Sequence, residues 1–208
     1  MMIETQQIEI GRLLRASTNG CVVGCKVNQI NAPTLGGLVR IPLQDRVTLD
    51  VIGIIYDMHI DDDGLVRQLI GSENISEEVI LDNRNNRNVP VEISVLFVGH
   101  YRDGQVHHLL PPRPPLTLDA IYPCTPEEII RFTSAGRLGY IRHILRAQDL
   151  PVGELIAAHI SQAEKCHLSS GDPLWVRKAV QELVVLLRDD YAALMAVLSA
   201  LADAGLTY

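Results

Sequence analysis

The chain has 208 residues, of which 47% are apolar, enough to bury an ordinary core as one large domain or two small ones. Its net charge of −7 gives no overall attraction to a polyanion, so nucleic-acid or membrane binding would need a local basic patch against an unfavourable background. Four scattered cysteines with no CxxC pair argue against a disulfide scaffold, and no stretch approaches the roughly 18 uncharged apolar residues of a membrane-spanning helix.

From Ile8 to about Tyr122 the dominant period is two, the mark of strands that present one face inward. IEIGRLLRAS comes first, then CVVGCKV after the turn signal Thr18-Asn19-Gly20, then GLVRIPL after Leu35-Gly36-Gly37. TLDVIGIIYDMHI reads as a longer strand, and Asp61-Asp62-Asp63-Gly64 reads as a hairpin returning through LVRQLI. DNRNNRN, residues 82 to 88, has nothing apolar to bury and is expected to be a solvated loop. VEISVLFVGHY and QVHHLL then flank Arg102-Asp103-Gly104, a second hairpin signal. Such short strands with almost no helix between them predict a small antiparallel barrel or sandwich. Closure is favoured because open edges invite aggregation, and Gly11, Gly24, Gly53 and Gly99 suit the bends of a barrel.

Pro111-Pro112-Arg113-Pro114-Pro115 cannot donate to a β-ladder and forces the chain out as a stiff strut. It satisfies PxxP twice, but it lies between a strand and LTLDAIY, itself strand-like, and is read as a seam rather than a protruding ligand. Beyond it the period becomes helical. Thr125-Pro126-Glu127-Glu128 combines an N-cap, a proline at the first helical position and a capping-box glutamate. EEIIRFTSA, LGYIRHILRAQ and GELIAAHISQAEKC follow as helices, and Leu174 to Ala204 as either two helices meeting near Asp189-Asp190 or one long one. The expected fold class is α+β: an N-terminal small antiparallel β-barrel over residues 1–123, then a C-terminal α-helical region over residues 124–208.

The chain contains no GxxxxGK[ST] phosphate loop, no GxGxxG, no GxSxG and no HExxH. Cys21 and Cys25, about 13 Å apart on an extended strand, are too far apart to share an ion. The adjacent His107 and His108 face opposite sides of theirs. His59 with its three following aspartates lacks the glutamate that closes a calcium loop. No metal, no cofactor, no catalytic residue and no enzymatic activity are therefore expected. The candidate binding residues are arginines, which outnumber lysines fifteen to three, a bias that suits forked contacts to phosphate or carboxylate or simply reflects codon usage. Arg131, Arg137, Arg142 and Arg146 lie in a segment without acidic residues, and Arg84 and Arg87 in the polar loop would extend that patch. The last helices are apolar on more than one stripe, since Val184, Val185, Leu186 and Leu187 point in every direction around the axis. They must pack hard on the barrel or meet another chain, with Trp175, Val184, Leu187, Tyr191, Leu194 and Leu198 as candidate interface residues.

At IGRLLRAST, PTLGGLVRIPL, VIGIIYDMHIDDDG and LLPPRPP the β half resembles the HerA/ATP-synthase (HAS) barrel, over about residues 8 to 122. That resemblance implies a six-stranded collar that helps rings assemble and docks partners beside an ATPase motor. No phosphate loop is present here, so no catalytic residue of that family carries over. The expected function is a non-enzymatic assembly or adaptor protein, self-associating or bound to a protein partner, as an accessory to a DNA-processing ATPase. A nucleic-acid-binding module built on the arginines is the alternative, weakened by net charge and by only two Phe, one Trp and six Tyr to stack on bases. MMIETQQIEIG lacks the layout of a signal peptide, so a cytoplasmic location and no membrane association are expected.

Overall fold

The computed structural model describes residues 8–25, 33–43, 48–61, 64–71, 75–85 and 90–206. Strands β1 (Gly11–Ala16), β2 (Gly20–Cys25), β3 (Leu38–Leu43) and β4 (Leu49–His59) come first, joined where the sequence places Thr18-Asn19-Gly20 and Leu35-Gly36-Gly37. Two short helices, α1 (Leu65–Ile70) and α2 (Glu77–Asn85), separate β4 from β5 (Val91–Arg102). The turn Asp103-Gly104, with φ of 48° and 76°, then folds β5 back onto β6 (Gln105–His107). The proline strut leads to β7 (Ala120–Pro123).

All pairings are antiparallel, in the order β2-β1-β7-β3-β4-β5, and β2 pairs again with β5, so six strands form a closed barrel. Strand β6 hangs on β5 outside that ring. The strut is what allows closure, because it carries the chain to the gap between β1 and β3 that β7 fills. Pro111 and Pro115 are buried, as suits a seam that lies against the protein. Inside the barrel Leu13, Val23, Ile41, Val51, Val95 and Phe97 are at most 1% exposed.

One expectation fails here. LVRQLI is helix α1, not the return strand of a hairpin, and residues 82 to 85 of the expected polar loop belong to α2. The apolar residues Leu65, Val66, Leu69 and Ile70 fall at helical spacing and do not alternate, so the run closes a helical face despite the Asp-Gly turn signal before it. Asp62, Asp63 and residues 86–88 lie outside the described residues.

The second half is helical: α3 (Pro126–Ser134), α4 (Ile141–Leu145), α5 (Val152–Ser169), α6 (Trp175–Leu186) and α7 (Tyr191–Asp203). Thr125 Oγ1 accepts from Glu128 N, and Glu128 Oε2 accepts from Thr125 N at 2.8 Å, completing the capping box. The stretch from Leu174 to Ala204 is two helices, broken at Asp190, whose carboxylate caps α7 by accepting from Ala193 N at 3.0 Å.

The helices cover the outside of β3, β4 and β5. Leu38, Ile52, Ile54 and Val98 leave the barrel interior to the other cluster and join Phe132, Ile141, Leu155 and Ile160 in one core. Strand β4 is thus buried on both faces, which is why its sequence is an almost unbroken apolar run. A register shift at Ile52/Gly53 lets it serve both cores, and a Cβ on Gly53 would lie 2.3 Å from Val95 Cγ1. At Gly99, a Cβ would lie 2.8 Å from the Phe132 ring, so this glycine is where α3 seats on the barrel.

Candidate interaction surface

Polar groups fix how the helices sit on the barrel, and thereby what they leave exposed. His159 on α5 is 1% exposed. Its Nδ1–H donates to the Gly36 carbonyl at 3.0 Å, so its Nε2 is the lone-pair nitrogen that accepts from the Tyr140 hydroxyl at 2.8 Å. Burial holds this imidazole neutral, with its pKa lowered to about 4, and raises that of the Tyr140 phenol. Gly36 has φ 79° and touches α5 so closely that a Cβ there would meet His159 N at 2.6 Å. Gln162 adds a bond from Nε2 to the Leu35 carbonyl. At the α3 N-terminus, Glu128 also forms an ion pair with Arg40 of β3, Oε1 lying 3.0 Å from Nε, tying that helix to the barrel wall.

Thr133 and His167 form the pairing most suggestive of chemistry, at 2.8 Å, with the imidazole stacked on Trp175 at 4.2 Å. Thr133 Oγ1–H, however, donates to the Ile129 carbonyl at 2.8 Å, leaving its oxygen to accept from His167 Nε2–H. Proton flow is thus directed away from a nucleophile, which would need to donate to the imidazole. A cavity of about 320 Å³ opens beside this pair, between α3 and α6. Its cations are matched by carboxylates, Arg137 with Glu182 at 3.0 Å and Lys178 with Asp172 at 3.3 Å.

The arginines expected to form one patch serve separate purposes. Arg131 stacks over the Tyr101 ring at 5.0 Å, Arg137 pairs with Glu182, and Arg142 donates to the His108 carbonyl. Arg146 is exposed at the end of α4. Arg84 lies on α2 with its side chain outside the described residues, and Arg87 lies wholly outside them. His143 joins Arg142 at the His108 carbonyl, and His100 Nδ1 donates to the Leu109 carbonyl at 3.0 Å, so these side chains hold the entry to the proline strut. Burial lowers the pKa of both His100 and His143. The cysteines are free thiols, and burial pushes Cys21 up to about 12. Among the described residues no three His, Cys, Asp or Glu side chains gather as a metal site, and no helix is long and apolar enough to cross a membrane.

The expected interface residues divide. Trp175 and Leu187 are inside the chain's own core, at 5% and 6% exposure, and Leu194 and Leu198 are half-buried. Val184 and Tyr191 face solvent. Helix α7 shows why. From Tyr191 to Ala202 it carries no charge, and Ser199 is its one polar side chain apart from the tyrosine hydroxyl. Val197 and Leu201 are buried, and Gly153 on α5 lets the Ala196 and Ala200 side of α7 approach closely. Tyr191, Met195, Leu198 and Ala202 form a second stripe beside the first, Tyr191 at 73% and Met195 at 42% exposure. Met195 and Ala202 were missing from the sequence-derived set, although their spacing of four, three and four residues with Tyr191 and Leu198 is legible there.

No protein-family model matches the chain, and no curated protein matches it significantly. A closed six-stranded antiparallel barrel identifies no family by itself.

Proposed function

We propose that this chain is a non-enzymatic assembly protein: a barrel of the HAS type that carries a helical layer, and with it a docking helix, into a larger complex. The observation that carries this reading is α7, a helix without charge from Tyr191 to Ala202 that buries one stripe against its own core and leaves Tyr191 and Met195 facing solvent. A helix apolar on more than one stripe gains by being covered further, and exposed apolar surface of this kind marks protein interaction sites. The burial of the polar groups at the barrel junction supports a rigid mount rather than a reactive cleft. The resemblance of the barrel strands to the HAS type adds the expectation of a partner ATPase that processes DNA.

Capture experiments test the reading. Tagged wild type and a Met195→Asp variant are used as baits, and retained proteins, including untagged copies of the chain, are quantified by mass spectrometry. Retention that depends on Met195 is expected. Identical retention by both baits would refute a docking role for α7.

A further inference from the structure

We infer that His108 is the latch of an acid-released clasp: neutral, its ring holds the α3–α4 turn against the entry to the proline strut, and protonated it lets the two part. The ring packs edge to face on Phe132 and Tyr140, with centroids 4.8 Å and 5.2 Å away. Its Nε2–H donates to the Phe132 carbonyl at 3.1 Å, which leaves Nδ1 as the nitrogen without a proton. Nδ1 has no hydrogen-bond partner among the described residues and lies against the turn, where a Cβ would come within 2.9 Å of it on Gly136 and 3.2 Å on Gly139. A second proton therefore arrives where no protein acceptor waits. The turn is also strained, since Gly136, Arg137 and Leu138 take φ of 52°, 48° and 56°, left-handed values that disfavour the two residues with side chains. Such a segment persists only while its surroundings hold it, and here they include a ring that titrates.

The groups around the latch all push the same way. Arg142 and His143 both donate to the His108 carbonyl, and His100 donates to the Leu109 carbonyl at 3.0 Å with its ring stacked on His107 at 5.1 Å. The charged or chargeable groups that act on His108 are Arg142 and His143; on His143 they are Arg142 and Arg146, and on His100 they are His107 and Arg102. None is a carboxylate, so protons taken up here meet no counter-charge. Burial lowers the pKa of all three imidazoles, their carbonyl bonds offset this in part, and the cations add to it. A lowered folded pKa means that the hold is complete above the ordinary 6.5 and is lost as pH falls below it. Opening draws the ring off Phe132 and Tyr140, which are 1% and 0% exposed with the clasp shut, so acid uncovers aromatic surface while the barrel interior stays closed.

Deuterium uptake by the full chain tests this, read peptide by peptide at about pH 7.5 and about pH 5.5 and corrected for the intrinsic pH dependence of exchange. The lower value stays above the pKa of about 4 at which His159 takes up its own proton. Peptides covering residues 105–111 and 134–143 should exchange several-fold faster at the lower pH, while peptides from β3 and β4 stay unchanged. His108→Gln keeps a donor for the Phe132 carbonyl but cannot titrate, and should lose most of this acid response. Arg142→Gln keeps a donor for the His108 carbonyl without its charge, and should move the onset of opening to lower pH. Titration of the imidazole resonances by NMR should place His108 below 6.5. A His108 pKa at or above that value, no acid response in the two peptides, a response undiminished in His108→Gln, an onset unmoved in Arg142→Gln, or a rise shared equally by β3 and β4 would each overturn the inference.

Discussion

His159 offers a quantitative test of how the helices are fastened to the barrel. In the folded chain its pKa lies near 4, against 6.5 for the free side chain, because it is buried between the Gly36 carbonyl and the Tyr140 hydroxyl. The native imidazole therefore stays neutral where the unfolded one takes up a proton. A group whose folded pKa is lowered loses its stabilising contribution as pH falls, starting near 6.5 and complete near 4. Integrating between those values gives about 3 kcal/mol in total, of which about 2 kcal/mol has gone by pH 5. The perturbation is His159→Gln, compared with wild type by urea unfolding at pH 7.5 and at pH 5. At pH 7.5 the variant should be less stable by about 1–3 kcal/mol, since Tyr140 or the Gly36 carbonyl loses a buried partner. Between the two pH values wild type should lose about 2 kcal/mol more than the variant, which no longer carries the proton-linked penalty. Burial also lowers the pKa of His100, His108, His143 and His167, and these contribute acid sensitivity to both proteins alike, so the difference isolates His159. Equal losses in the two proteins would show that His159 is not held neutral in the fold, and the account of the junction would be wrong.

Three further outcomes follow from local geometry. Gly99→Ala places a methyl 2.6 Å from the His107 carbonyl and 2.8 Å from the Phe132 ring, and should cost about 1–3 kcal/mol in chemical denaturation; a neutral result would mean that α3 does not seat there. Leu118 is held at φ 71° with its side chain 64% exposed, so Leu118→Gly should raise stability by about 0.5–1 kcal/mol, and a clear loss would contradict the left-handed assignment. Asp190→Ala removes the α7 cap and should cost about 1 kcal/mol, whereas Asp190→Asn should cost much less; equal costs would assign the effect to charge rather than to the bond to Ala193 N.

Much of this architecture is written in short-range patterns. Alternation in β1 to β5, the Asn-Gly and Asp-Gly turns, the prolines of the strut and the Thr125 capping box each act within a few residues, and each appears where the sequence puts it. The break at Asp190 was one of two readings open to the sequence, and packing on α5 selected it. Helix α1 follows the same logic: its apolar residues fall at helical spacing, and the Asp-Gly turn signal before them marks a change of direction but not the kind of element that follows.

What the sequence determined by itself is the ordering of β segments before helices, the turns between them and the excess of apolar surface near the C-terminal end, because these depend on neighbours along the chain. Tertiary structure alone decided that β7 enters between β1 and β3, that Gly36, Tyr140 and His159 meet across more than a hundred positions, and that Arg131, Arg137 and Arg142 engage separate partners. It also decided which stripe of α7 is consumed against α5 and which is left facing water. The physical reason is one of range: propensity and periodicity specify an element and its apolar faces, but only the closing of the barrel and the seating of the helices on it determine which of those faces finds a partner within the chain.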